Sequence, residues 1–333
     1  MPDDPPPAVL AQYPQLRGAA TIQALSPDAA ATGWLVRSRQ GRFTVRGFPR
    51  HLDHGRAHRV AAVQQHVAQS SSLAPTVIGN EDGNLVTSHQ GSAFIAAEHI
   101  EGTCDPQVVP RRRLCEDLGR TLGLLHRCLR ACPIVVAPTA RTQVNTDDPV
   151  AGIRAALHHH QLPGCPHPQI RQTLAKKLRR AQRLSRARLA RYDTLPHALI
   201  HGDFHLGNVV TVKDRVVAVI DFDLVRWAPP GYELVRGLLY CVKPTGGPNV
   251  FEERLRAFLA SYLSAHSLAP EELASMVGLF EAVQTLDAHG LDRCANASDA
   301  LLRFGQARFA LLNWLDRHGP LITALASQGT ALT

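Results

Sequence analysis

The stretch His201-Gly202-Asp203-Phe204-His205-Leu206-Gly207-Asn208, with Asp221-Phe222-Asp223 after it, holds the side chains of this chain best suited to chemistry. Asp203 precedes Asn208 by five positions, and Asp221 follows Asn208 by thirteen. A carboxylate that can handle a hydroxyl proton, an amide oxygen and a second carboxylate at those spacings are the parts that phosphoryl transfer requires. The transferring group spreads negative charge over its oxygens, so catalysis is mostly positioning and neutralisation by Mg²⁺ on hard oxygen ligands. Asp203 is the candidate base or hydroxyl-orienting group, and Asn208 and Asp221 are the candidate metal ligands. Asp223 reads equally as a residue supporting the metal and as a structural one. Two other readings use the same residues: Asp and Asn favour turns by bonding their own backbone, and two histidines with a carboxylate suit zinc. The turn reading does not account for the spacing, and the zinc reading leaves Asn208 and Asp221 idle, so His201 and His205 are taken as groups that structure the loop.

Short β segments must present these residues. His197 to Ile200 and Val209 to Val212 are apolar and β-branched, and Val216-Val217-Ala218-Val219-Ile220 ends directly at Asp221. Lys213-Asp214-Arg215 is then the turn of a hairpin that carries Asn208 at one end and Asp221 at the other. Further upstream, Ala20 to Leu25, Trp34 to Ser38 and Arg42 to Phe48 read as three strands, with a loop from Ser26 to Gly33 and a turn at Gln40-Gly41. A helix follows at about Ala57 to Gln69. No GxxxxGK[ST] occurs, and no GxGxxG follows a first strand, so P-loop and dinucleotide-binding readings have no footing.

The HGDxHxxN loop and the DFD segment together resemble the aminoglycoside phosphotransferase and choline/homoserine kinase-like superfamily. Leu118-Gly119-Arg120-Thr121-Leu122-Gly123-Leu124-Leu125-His126 resembles its LGRxLAxLH helix, and Arg226-Trp227-Ala228-Pro229-Pro230-Gly231-Tyr232-Glu233-Leu234 its continuation after DFD, with Glu233 where Asp is usual. The resemblance implies an α+β, bilobal protein-kinase-like fold. A flexible tail over 1–19 would precede a small β-rich nucleotide-binding lobe over 20–99, and a mostly helical catalytic and acceptor-binding lobe would occupy 100–333. It also implies ATP and Mg²⁺ as cofactors and a small-molecule hydroxyl acceptor such as a sugar, amino alcohol, amino acid or aminoglycoside. Glu98-His99-Ile100-Glu101-Gly102 looks like the lobe-connecting hinge, whose backbone at Glu98 and Ile100 would receive adenine. Arg46 stands where the family places a strand lysine on the nucleotide phosphates. The helix that normally supplies that lysine with a glutamate has no acid in Arg59-Val60-Ala61-Ala62-Val63-Gln64-Gln65-His66, so either Gln64 or Gln65 bonds Arg46, or another group holds it, or the lobe binds nucleotide weakly. This departure motivates an alternative function, a pseudokinase that binds nucleotide or a partner without transfer.

The formal charge of +8 raises the question of nucleic acid. Its source is one stretch: from Ile170 to Arg191 there are nine basic residues and no acidic one. Ile170, Leu174, Leu178, Ala181 and Leu184 fall at helical spacing, so a single helix can pack that stripe and expose Lys176, Lys177, Arg179, Arg180, Arg183, Arg186 and Arg188. Such a face is solvated or draws anions toward a cleft. With aromatics at 5% and no stacking motif, nucleic acid is not an expected partner. No apolar run approaches the ~18 residues of a membrane span. The start, Met1-Pro2-Asp3-Asp4-Pro5-Pro6-Pro7, lacks the basic-then-apolar order of a secretory signal, and seven unpatterned cysteines suit reduced thiols; both favour the cytoplasm.

Arg111 to Arg130 should form a core helix with Leu114, Leu118, Leu122, Leu125 and Leu129 on one stripe. His158-His159-His160 should end a helix before a loop at Leu162 to Pro166. Asn249 to His266, Pro270 to His289 and Ser298 to His318 read as three more helices, the third behind a Ser cap. They carry no concentrated acidic run of the kind a polycationic acceptor calls for.

Overall fold

The computed structural model describes residues 4–26, 32–49, 54–134, 148–161, 168–242, 248–289, 291 and 299–329. Two compact units are present. Met1–Val136, Leu199–Arg226 and Gly237–His266 form the first, and Ala137–Ala198, Trp227–Arg236 and Ser267–Thr333 form the second. The sheet, residues 98–102 and the hairpin between Asn208 and Asp221 thus share one unit, which runs past the lobe boundary expected at residue 99.

The first unit opens with a short helix α1 (Pro7–Leu10) and a 3₁₀ turn at Pro14–Leu16. Residues 1–19 were expected to be a flexible tail, but Val9, Leu10, Tyr13 and Leu16 are buried with Trp34, Val36, Phe43, Val45 and Phe94 in one apolar core. The tyrosine hydroxyl donates to Phe94 O at 3.3 Å, and burial raises its pKa. Proline-rich composition suggested disorder, whereas the apolar residues after it cover one face of the sheet.

That sheet has six antiparallel strands: β1 (Thr21–Ser26), β2 (Thr32–Ser38), β3 (Gly41–Phe48), β4 (Val77–Ile78), β5 (Thr87–His89) and β6 (Ser92–Glu98). The order is β1-β2-β3-β6-β4, and β5 also pairs with β6. β6 is buried along nearly its whole length, as a central strand must be, and β3 alternates burial so that Val45 faces the core and Arg46 the other side. Residues 27–31 of the expected first loop lie outside the described residues. Helix α2 (His54–Ser71) follows β3.

Helix α3 (Arg112–Arg130) buries all five leucines of the expected stripe. It crosses α8 (Pro248–Ala265) closely, because Gly119 and Gly123 carry no side chain there: a Cβ on Gly119 would lie 2.1 Å from Phe258 O. His126 Nδ1 meets Tyr262 OH at 2.7 Å across the same contact. Strand β7 (Ala198–Ile200) leads into the His201 loop, and β8 (Val209–Val212) with β9 (Arg215–Val219) forms the expected hairpin. Lys213 and Asp214 both have positive φ, 49° and 59°, the twist that suits a two-residue hairpin turn. Strand β10 (Arg226–Ala228) and helix α7 (Pro230–Cys241) follow.

The second unit contains α4 (Ala151–His159), α5 (Pro168–Ala181), α6 (Arg186–Asp193), α9 (Pro270–Leu286) and α10 (Asp299–Gly329). The basic stretch is two helices, not one. Ser185 accepts from Arg188 N at 3.1 Å and starts α6 as its N-cap. Lys177, expected on the solvated face, is 2% exposed and donates to Gln284 O at 2.8 Å and Asp287 O at 2.6 Å, at the C-terminal end of α9. The last helix, expected to stop at His318, continues with Pro320 inside it to Gly329. His160 caps α4 and its Nε2 meets Leu291 O at 2.7 Å; the loop at 162–166 and the Ser298 cap lie outside the described residues.

Candidate active site

The loop between β7 and β8 is built by its own side chains. His201 is fully buried, accepts from Asp203 N through Nδ1 at 3.2 Å and lies 3.0 Å from Ile220 O through Nε2. One histidine therefore fixes both ends of the site, the start of the loop and the residue before Asp221. Its ring also packs edge-on against Phe222 with centroids 4.7 Å apart. Gly202 sits at φ +83°, and a Cβ there would lie 2.1 Å from Leu224 O, so only glycine fits. His205 Nδ1 accepts from Gly207 N at 3.0 Å, and its Nε2 lies 3.4 Å from Asp203 Oδ2. With these nitrogens committed to loop geometry, the histidines act as braces.

Asp203 and Asn208 are brought together directly. Asn208 Nδ2 donates to Asp203 Oδ2 at 2.9 Å and to Asp203 O at 3.0 Å, which turns its amide oxygen to the other side. Ile220 N donates to Asn208 O at 2.9 Å, holding Asn208 beside the end of β9. Asp221 then adopts a left-handed conformation, φ 66°, with its side chain 39% exposed. That strain is characteristic of residues over-determined by a functional site.

Arg46 is held by the DFD carboxylates. Its Nη1 donates to Asp221 Oδ1 at 3.2 Å and its Nη2 to Asp223 Oδ2 at 2.9 Å. Gln64 and Gln65 are engaged elsewhere: Gln64 Nε2 donates to Pro75 O, and Gln65 Oε1 accepts from Val77 N, each at 2.9 Å. In place of a helix acid, α2 contributes Arg56, whose Nη2 reaches Asp223 Oδ2 at 3.5 Å. Sequence reading passed over Arg56; the available signal was a cation in the first turn of a helix with no acid to offer. Asp223 is mostly buried, and desolvation raises its pKa, opposed by Arg46 and reinforced by Asp221. Its Oδ1 is buried with no hydrogen-bond partner, as is Arg56 Nε.

The segment expected to act as the hinge, Glu98 to Gly102, is tied on several sides. Glu98 N donates to Thr76 O and His99 N to Arg42 O, each at 2.9 Å. Beyond them, Thr103 and Thr211 exchange backbone bonds of 3.0 and 2.9 Å, docking the hinge end on β8. Gly102 permits this at φ +150°, since a Cβ would lie 2.6 Å from Val210 Cγ1. The hairpin is braced from below by Asp117 of α3, which accepts from Val216 N at 2.6 Å, and by Val219 N donating to Leu73 O at 2.7 Å. Glu98 and Ile100 are thus in one unit with Asp203, Asn208, Asp221 and Arg46.

Residues 21–276 match the sequence profile of the Phosphotransferase enzyme family. A homoserine kinase of Methylobacterium nodulans is 24% identical over 277 residues, 83% of this chain and 81% of that protein. Among solved structures, a microcompartment-associated aminopropanol kinase superposes with a TM-score of 0.61 at 16% identity, covering 95% of this chain and 97% of the other. An amicoumacin kinase in complex with AMP-PNP, Ca²⁺ and Ami superposes with a TM-score of 0.58 at 14% identity, covering 87% of each chain. At those identities the structures establish the protein-kinase-like fold, and the profile match spans most of the chain: it belongs to the phosphotransferase enzyme family.

Proposed function

We infer that the chain transfers a phosphoryl group from ATP, with Mg²⁺, to the hydroxyl of a small molecule. The observation that carries this reading is the Asp203–Asn208 contact at 2.9 Å, with Ile220 N bonded to Asn208 O at the end of the hairpin that carries Asp221. Asp203 accepts or orients the acceptor hydroxyl, with Asn208 Nδ2 fixing the rotamer of its carboxylate. The donor set suits a small hard cation: the Asn208 amide oxygen turned from Asp203, the half-exposed Asp221 carboxylate, and a buried Asp223 oxygen with no partner. Asn208 and Asp221 would hold Mg²⁺, which when bound neutralises phosphate oxygens. Arg46, which bonds both DFD carboxylates, would bind nucleotide phosphate oxygens, which its guanidinium is suited to grip bidentately. The backbone at Glu98 and Ile100 would take the adenine. The acceptor class is a small amino-bearing alcohol, with homoserine first because a homoserine kinase is among the similar proteins. Five cysteines among the described residues are free thiols, in keeping with a reducing cytoplasmic setting.

The test is transfer from Mg·ATP to a panel of hydroxyl acceptors led by homoserine, with product phosphate followed by ³¹P NMR. Asp203→Ala should lower kcat by roughly 10²–10⁴-fold, the range for general acid–base catalysis, while leaving nucleotide binding in place; unchanged turnover would remove Asp203 from its role. The second reading, a pseudokinase, draws on Arg46 already engaging the Asp221 carboxylate. Tight Mg·ATP binding without transfer to any acceptor in the panel would favour it.

A further inference from the structure

The basic stretch has no part in the chemistry above, and the second unit shapes it into a site. Lys176, Arg179, Arg180 and Arg183 lie at i, i+3, i+4 and i+7, on one side of α5 and the turn that extends it. Together with Phe309 and Asn313 of α10 they line a groove of about 220 Å³.

The charge in this groove is unbalanced. Of the four cations, Arg180 is neutralised, forming a bidentate pair with Asp316 at 2.7 and 2.6 Å and approaching Glu281 at 3.7 Å. Lys176, Arg179 and Arg183 are exposed and make no ion pair among the described residues. Neighbouring like charges on a helix repel one another, and α5 contains no acid to relieve them. Ion pairing elsewhere in the unit is denser: Glu281 also approaches Arg188 at 3.9 Å, and Asp287 pairs with Arg308 at 2.6 Å. The acids of the neighbouring helices therefore meet the inner cations and leave the outer three facing the groove.

We propose that this groove, lined wholly by residues of the second unit, binds an oligophosphate group, two or three linked phosphates. Seven residues of helix span about 10 Å, a length that linked phosphates can follow with one cation against each. The volume suits such a group; a nucleic-acid duplex would need a far larger surface. Arg180 is committed to Asp316, so Lys176, Arg179 and Arg183 would contact the phosphates, two of them arginines, the side chain best matched to phosphate oxygens. Phe309 and Asn313 close the opposite wall with an apolar ring and an amide. Free oligophosphate and the phosphate tail of a nucleotide share this chemistry.

The probe is inorganic tripolyphosphate, titrated calorimetrically into the full chain at moderate salt. Wild type should bind one equivalent. Lys176→Gln/Arg179→Gln/Arg183→Gln should weaken binding at least tenfold, and Arg46→Ala, which alters the nucleotide site, should leave this binding event intact. If the triple variant loses its cooperative thermal transition, Arg179→Gln alone on the exposed face should still weaken binding several-fold. Displacement of labelled tripolyphosphate from Arg46→Ala by ADP identifies a nucleotide tail as a ligand, and failure of ADP to displace it identifies free oligophosphate; either supports the site. Equal binding by wild type and the triple variant overturns it, as does loss of all binding in Arg46→Ala. So does tight binding of single-stranded RNA or phosphatidylserine vesicles that tripolyphosphate cannot displace, since that marks a macromolecular surface.

Discussion

Arg46 spends both terminal nitrogens on carboxylates 175 and 177 positions away, and Arg56 of α2 leans on the second of them. The pairing expected between a strand cation and a helix acid is therefore redirected: Asp223 is the shared anchor, and the helix contributes a second cation. Asp223→Asn would keep the shape and remove the charge, leaving two guanidinium groups without their common partner. Mg·ATP affinity, measured by calorimetry with a non-hydrolysable analogue, should fall by about tenfold or more, equivalent to about 1.4 kcal/mol per decade. Gln64→Ala and Gln65→Ala should leave it unchanged, because those amides serve Pro75 O and Val77 N. A loss of affinity in the glutamine variants, with none in Asp223→Asn, would defeat this account of how Arg46 is held. The grouping of Asp203, Asn208 and Asp221 on one loop and hairpin was legible in the sequence because their spacing is local. The partner of Arg46 was not, because it depends on which distant strand end the fold brings close to β3.

Elements were legible where one period dominated. The leucine stripe of α3, the β8–β9 hairpin and strands β1 to β3 follow from side-chain periodicity and turn residues alone. Failures occurred where a tertiary partner overrode local signals. The basic stretch keeps a helical pattern across Ser185, yet the serine caps a new helix there. Pro320 lies inside α10 despite its poor fit to a helix interior. Residues 7–16 look disordered by composition and become ordered by covering the sheet. Glycines in helices are equally ambiguous in sequence, and the structure separates them. A Cβ at Gly119 would sit 2.1 Å from Phe258 O, so Gly119→Ala must push α3 and α8 apart, costing roughly 1–3 kcal/mol or more. A Cβ at Gly152 of α4 meets nothing within 4 Å, so Gly152→Ala should stabilise, by up to about 0.5–1 kcal/mol. Urea unfolding of the two variants should move the midpoint in opposite directions; shifts of the same sign would mean that close packing of α3 on α8 does not set the requirement at Gly119.

For the molecule as a whole, a half-buried histidine and a buried glutamate with opposite linkage contribute to how stability depends on pH. His266 is shifted down to about 4, first by desolvation and then by His126, Arg130 and Arg127. Between about pH 4 and 6.5 the unfolded chain holds a proton on this ring that the folded chain lacks, so stability rises with pH across that window. Glu272 is shifted up to about 7 by desolvation, partly offset by Gly231 N donating to Oε1 at 2.6 Å. Here the folded chain holds the proton that the unfolded chain releases above about pH 4.5, so stability falls from there to about pH 7 and stays lower beyond it. From about pH 4.5 to 6.5 the two slopes oppose, and these groups together should give the wild type a shallow profile. Glu272→Gln keeps an oxygen for Gly231 N and removes the titration. At pH 8 the variant should be more stable than wild type, by roughly 1–3 kcal/mol, and at pH 4.5 the two should converge. Removing that opposing slope should also expose the His266 contribution as a rise between pH 4.5 and 6.5. The two groups belong to different compact units, so if heating resolves two transitions, Glu272→Gln should move only the one that reports the second unit. Parallel profiles for wild type and Glu272→Gln from pH 4.5 to 8 would show that Glu272 titrates near its ordinary value and that its burial at the start of α9 does not hold its proton.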